Sequence, residues 1–156
     1  MSSSATVPEE IGRAATRGEL QKVVKWLRKG GHVDALFSWE DEKGISRSRA
    51  LLHAAAARGH LAVAKEVLKR GATVDLPASL GTPLMHAAVY GQPAALLLLL
   101  EHSANPDLQD DTGRTALMHA AYDGHEACAK ALLRANANTE LRNSAGRTAL
   151  QFAEAQ

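Results

Sequence analysis

A chain of 156 residues and 16.6 kDa has room for one domain of ordinary size and little room for two. Eighteen Lys and Arg face seventeen Asp and Glu for a net charge of +1, so the overall balance singles out neither a nucleic-acid binder nor a polyacid. Hydrophobic residues make up 46% of the chain, which excludes a wholly disordered polymer, and the apolar mass lies in 30 Ala and 21 Leu rather than in the six aromatics.

Taken in chain order, residues 1–8 carry Ser2, Ser3 and Ser4 and are expected to form a disordered tail. They contain no basic stretch followed by an apolar one, the pattern a secretion signal requires. The next segment, Ile11-Gly-Arg-Ala-Ala-Thr-Arg-Gly18, is a degenerate first copy of a unit that returns down the chain. It recurs as Ala50-Leu-Leu-His-Ala-Ala-Ala-Ala-Arg-Gly-His60, as Gly81-Thr-Pro-Leu-Met-His-Ala-Ala-Val-Tyr-Gly91 and as Gly113-Arg-Thr-Ala-Leu-Met-His-Ala-Ala-Tyr-Asp-Gly124. Gly146-Arg-Thr-Ala-Leu-Gln-Phe-Ala-Glu-Ala begins it again, and Thr82, Thr115 and Thr148 stand 33 residues apart. A period of this size is the mark of a repeat architecture.

Within each copy a short Ala-rich segment closes at Gly18, Gly59, Gly91 or Gly124, and a second apolar segment follows. Leu61, Ala64, Val67 and Leu68 recur at helical spacing, as do Leu20, Val23, Val24 and Leu27. Gly30, Gly71 and Asn136 suit the left-handed residue that ends the second helix, with Ser103 in their place in the third copy. Each unit therefore reads as helix, turn, helix, loop. The Leu96–Leu100 run is far shorter than the roughly 20 apolar residues a membrane span needs.

These segments resemble ankyrin repeats, whose 33-residue unit carries a Thr-Pro-Leu-His-x-Ala-Ala signature. The resemblance covers residues 9–156 and rests on Thr82-Pro83-Leu84, Ala87-Ala88, Gly59-His60, Gly124-His125 and His53. Met85 and Met118 occupy the signature histidine position, with His86 and His119 one residue later, so the family's histidine hydrogen bond does not carry over to those two. The resemblance implies an all-α solenoid of helix-turn-helix units joined by β-turn or hairpin loops. Repeats are expected at about 9–35, 50–75, 82–107, 115–140 and 148–156, the last partial, with an extended loop at 36–49. Repeat one reads as a cap, with Lys22, Lys25, Arg28 and Lys29 outward. At the other end, either Phe152 plugs the stack or further residues complete the last repeat.

Sites of chemistry are not in view. No phosphate loop and no H-E-x-x-H pair occurs. His53, His60, His86, His119 and His125 recur because the repeat recurs, and Cys128, the single cysteine, stands among Ala127, Ala129 and Ala131 as a packing residue. No enzyme activity, cofactor, metal or small-molecule substrate is expected, and one cysteine without a disulfide partner fits a cytoplasmic or nuclear location.

What the solenoid offers instead is a protein-binding surface. The resemblance implies that partners meet the loop tips and the residue pairs before each first-helix glycine. Those pairs are Thr16-Arg17, Ala57-Arg58, Val89-Tyr90 and Tyr122-Asp123. Tyr and Arg are enriched at binding hot spots, so Arg58, Tyr90, Tyr122 and Asp123 are candidates, with the tyrosines also able to pack between helices. Asp34 to Ala50 spans 16 positions where Asp107 to Thr115 spans 8, and the added stretch carries Phe37 and Trp39 among Glu40, Asp41, Glu42, Arg47 and Arg49. The two aromatics are either exposed anchors or fold back onto repeats one and two. Asp111, Arg114 and Arg147 complete the candidate set as a polar rim. The expected role is a non-catalytic adaptor, scaffold or inhibitor. A targeting or regulatory domain of a longer protein is one alternative, and a nucleic-acid or lipid binder acting through the basic cap is the other.

Overall fold

The computed structural model describes residues 6–156, so Ser2, Ser3 and Ser4 lie outside the described residues. Within them, threonine placement starts the inner helices. The hydroxyls of Thr82, Thr115 and Thr148 accept the amide hydrogens of Met85, Met118 and Gln151, satisfying donors that the first turn of a helix leaves free. They open α5 (Pro83–Val89), α7 (Ala116–Tyr122) and α9 (Ala149–Glu154), while α1 (Glu9–Arg17) and α3 (Leu51–Arg58) precede them in the same row. At α3 Ala50 has no hydroxyl to accept such a bond, and its own N–H donates to His53 Nδ1 at 3.3 Å.

Each inner helix is followed by an outer one: α2 (Leu20–Arg28), α4 (Leu61–Lys69), α6 (Pro93–Glu101) and α8 (Glu126–Arg134). Neighbouring inner helices pack on one another and so do neighbouring outer helices, the quasi-one-dimensional arrangement of a repeat stack. The inner row is built from small residues. Ala54, Ala55, Ala56, Ala87 and Ala88 are fully buried, and Leu51, Leu84, Leu96, Leu99 and Leu132 fill the space between rows. Each such leucine stabilises the fold by about 2 kcal/mol on burial. In the cap, Val23, Val24 and Leu27 face inward and Lys22, Lys25, Arg28 and Lys29 are exposed, as the sequence pattern predicts.

Two devices lock successive repeats in register. His60 Nε2 donates to Thr16 O at 2.9 Å and His125 Nε2 to Val89 O at 3.0 Å, and each ring lies under the left-handed glycine of the preceding repeat. A Cβ on Gly91, whose φ is 64°, would stand 2.6 Å from the His125 ring. On the loop side, Asp34 accepts from the Thr73 amide, Asp75 from Asn105 and Asp107 from Asn138, a carboxylate ladder with the period of the repeat.

The extended loop at 36–49 is in fact regular. β1 (Leu36–Glu40) and β2 (Ser46–Ala50) form an antiparallel hairpin that pairs Phe37 with Arg49 and Trp39 with Arg47. Asp41 builds its turn, accepting the Lys43 and Ile45 amides at 2.9 Å and Arg47 Nε at 2.7 Å. Two residues of the tail expected to be disordered at 1–8 are ordered: Thr6 bridges to Leu36, and Val7 is buried with its amide donating to Leu36 O. Burial of its apolar side chain against the hairpin offsets backbone freedom lost on ordering. At the far end Phe152 is buried at 3% exposure and meets the Tyr122 ring edge-on at 5.9 Å.

Candidate functional site

The C-terminal ends of α1, α3, α5 and α7 and the inner face of the β1–β2 hairpin enclose a groove of about 1830 Å³. Six of the nine residues singled out from the sequence line it: Phe37, Trp39, Arg58, Tyr90, Tyr122 and Asp123. The repeat geometry explains this convergence, because each residue just before a first-helix glycine leaves the C-terminal end of its inner helix along the same edge of the stack. Tyr90 is 37% and Tyr122 50% exposed, so both keep a face free despite packing on neighbours.

Phe37 requires a correction as an exposed anchor. Its ring is 7% exposed and lies so close to Gly12 that a Cβ there would stand 2.5 Å from it. The hairpin folds back onto α1, and the absence of a side chain at Gly12 makes the seat for this ring. Trp39, two residues on, is half-buried.

Arginines sit on the aromatic faces. The Arg49 guanidinium carbon lies 4.6 Å from the Trp39 ring centre and 5.4 Å from that of Phe37. Arg58 lies 5.9 Å from Tyr90, and Arg114 5.1 Å from Tyr122 and 4.9 Å from Phe152. Contacts of this kind suit a guanidinium, which is flat and weakly hydrated. Arg49 is the residue whose weight sequence reading missed. It is only 5% exposed, donates from Nη2 to Thr16 Oγ1 at 3.0 Å, and makes no salt bridge among the described residues. Burial, together with the nearby Arg58 charge, lowers its pKa to about 10. Arg49 Nε and Trp39 Nε1 are both buried without a hydrogen-bond partner among the described residues. The signal was in the strand alternation: Ser-Arg-Ser-Arg against Phe-Ser-Trp puts both arginines on the face of both aromatics.

Asp111, Arg114 and Arg147 do not line the groove. Asp111 and Arg147 are exposed at the loop tips, and Arg114 is half-buried over Tyr122 and Phe152. Neighbouring tips are stitched together: Gln109 Nε2 donates to Gly113 O and Arg142 O, and Ser144 N to Thr112 O. Beneath them Asp110 accepts from the Thr112 and Arg114 amides at 2.9 Å and from His119 Nε2 at 2.8 Å. Burial opposes ionisation of this carboxyl, but the donated hydrogen bonds outweigh it and hold it well below the usual carboxylate range.

The histidines act as struts between loops and helices. His53 Nε2 donates to Leu76 O at 2.8 Å and His86 Nε2 to Ser79 O at 3.0 Å, with the two rings edge to face at 5.0 Å. Burial lowers the pKa of His53 to about 3 and of His86 to about 4, so both are neutral at physiological pH. Cys128 is buried, and that burial raises its thiol pKa. On the cap, Glu19 pairs with Lys22 at 2.5 Å, leaving Lys25, Arg28 and Lys29 exposed without a salt bridge among the described residues. No helix in the described residues is long and apolar enough to cross a membrane.

Comparison with known proteins agrees with this architecture. A family model described as ankyrin repeats, in three copies, matches residues 11–110 and 94–156. Among curated proteins, the E3 ubiquitin-protein ligase hecd-1 of Caenorhabditis elegans is 34% identical over 88 residues, 56% of this chain. The match covers 3% of that ligase, so the chain spans a small fraction of the relative's length.

Proposed function

Because the chain belongs to the ankyrin-repeat family, whose members are typically non-catalytic interaction modules, we propose that it works as an intracellular adaptor, scaffold or inhibitor that holds a partner protein in the groove. The observation that carries this reading is the convergence of Trp39, Tyr90 and Tyr122 on one groove, each partly exposed and each beside an arginine. Aromatic rings held by a stiff stack supply binding area without a large loss of side-chain freedom. Arg58 and Asp123 flank them, and Asp111, Arg114 and Arg147 form an outer rim that adjusts specificity more than affinity.

The test is affinity capture from lysate on the wild type and on a Trp39→Ala, Tyr90→Ala, Tyr122→Ala variant matched for helical content by circular dichroism. Partners held by the wild type and lost by the variant support the groove. Equal recovery on both places binding elsewhere, with the basic face of Lys25, Arg28 and Lys29 next to be substituted.

A second reading makes the chain a targeting or regulatory domain within a longer polypeptide, and its likeness to a short stretch of hecd-1 supports it. An antibody raised against residues 82–107 decides the matter by the mass of the native polypeptide it detects. A band far above 16.6 kDa supports the domain reading.

A further inference from the structure

Arg49 is a cation that the fold buries and does not neutralise. Taking a guanidinium out of water is costly unless an opposite charge or a full set of acceptors replaces the lost hydration. Here the replacement is incomplete: one hydroxyl acceptor, two ring faces, an unpartnered Nε, and a second guanidinium, Arg58, close enough to disfavour the charge. Neither arginine makes a salt bridge among the described residues, although Asp41 and Glu9, which also line the groove, are paired with Arg47 and Arg13. The local carboxylates are thus either engaged or held at the rim, and the buried charge at the groove floor has no counter-ion among the described residues.

We propose that the groove takes an extended segment of a partner protein, and that an aspartate or glutamate side chain of that segment enters to pair with Arg49 and Arg58 beside the rings of Trp39 and Tyr90. The proposal rests on the protein-binding reading of the same groove and specifies the chemistry of the partner. A single carboxylate fits better than a polyanion. Glu40, Glu42 and Asp123 line the rim without salt bridges among the described residues, so a nucleic acid or a doubly charged phosphate meets more repulsion than a lone carboxylate on a neutral or basic chain. Arg49 is only 5% exposed, and that burial strengthens the pairing, while a guanidinium donates to a carboxylate in a two-pronged geometry that an ammonium lacks.

The arrangement has an unusual signature. Removing a buried, unneutralised charge leaves the free protein as stable or more so, because Thr16 Oγ1 keeps its own hydrogen bond to Gly12 O at 2.9 Å. A structural role for Arg49 predicts the opposite. Arg49→Met, close in length and shape, is therefore expected to melt at or above the wild-type temperature while losing binding.

Random, unphosphorylated dodecapeptides displayed on phage are selected against the immobilised 156-residue protein. Each selected peptide is then labelled with fluorescein and titrated by anisotropy. The proposal expects selected peptides enriched in Asp or Glu. Affinity falls on the order of thirtyfold with Arg49→Met and about fivefold with the exposed Arg58→Ala, and a similar loss follows when the peptide's acid is changed to its amide. Peptides that need Tyr90 and Tyr122 but show no acidic enrichment, or that ignore both arginine substitutions, overturn the acidic preference and leave the groove reading standing. Peptides indifferent to Tyr90→Ala, Tyr122→Ala overturn both. Selection of no peptide, or displacement of the selected peptide by a 20-nucleotide single-stranded DNA at equal concentration, overturns the proposal in favour of a folded or a nucleic-acid partner.

Discussion

Acidification to pH 5 is expected to weaken the fold through two buried histidines. His53 and His86 keep pKa values of about 3 and about 4 in the folded chain because burial excludes the charged form, and the His86 ring further disfavours charge on His53. The other charges facing them, Arg49 on His53 and both Arg49 and His119 on His86, push the same way. In the unfolded chain a histidine titrates near about 6.5. A folded pKa below the unfolded one means the stabilisation is complete above about pH 6.5 and is lost as pH falls towards the folded values. At pH 5 the unfolded chain binds nearly one proton more per histidine, worth about 2 kcal/mol each and about 4 kcal/mol for the pair. Asp110, whose pKa is lowered, acts only below about pH 4 and leaves this window untouched. Urea unfolding followed by circular dichroism at pH 7.5 and pH 5.0 measures the loss, and in a His86→Gln variant the loss is expected to halve. A loss below about 1 kcal/mol in the wild type, or one unchanged in the variant, refutes the argument that these rings are held neutral.

Three substitutions probe the stack and the groove separately. Phe37→Ala is expected to cost about 3–5 kcal/mol in chemical unfolding, as for a core aromatic; a cost below about 1 kcal/mol would return Phe37 to the exposed set. Gly91→Ala combines a left-handed φ of 64° with a clash on the His125 ring and is expected to lose on the order of 2 kcal/mol by thermal melting, with an unchanged melting point contradicting the lock. Leu80 holds a φ of 67° and is 38% exposed in the groove wall, so Leu80→Gly is expected to gain about 1 kcal/mol in stability and to weaken partner capture. Loss of stability instead would show that the leucine packs for the fold.

The repeating parts were legible because their causes are local. A threonine that caps a helix, a glycine that turns it and an alanine that permits close packing each act within one turn, so Thr82, Thr115 and Thr148 set the frame by spacing alone. The first loop was not, because its outcome depends on distant partners. Phe37 is buried only because Gly12, 25 positions earlier, has no side chain, and Val7 is ordered only because the hairpin gives it an edge to join. His86 and His119 lost the family's histidine position, yet each found another acceptor, Ser79 O and Asp110, which a one-residue offset conceals. For the groove, residue type and repeat position brought Tyr90, Tyr122 and Arg58 into view, while the burial of Arg49 follows from strand register, which only the paired hairpin reveals.

Backbone amide chemical-shift mapping most directly tests whether binding belongs to the groove. The isotopically labelled protein is titrated with a captured partner fragment or a selected peptide. The expected result is shifts concentrated at Thr16, Trp39, Arg49, Arg58, Tyr90 and Tyr122, with the outer helices α4, α6 and α8 unmoved. Shifts confined to the outer helices or to the exposed lysines of α2, with those six residues unmoved, would contradict it.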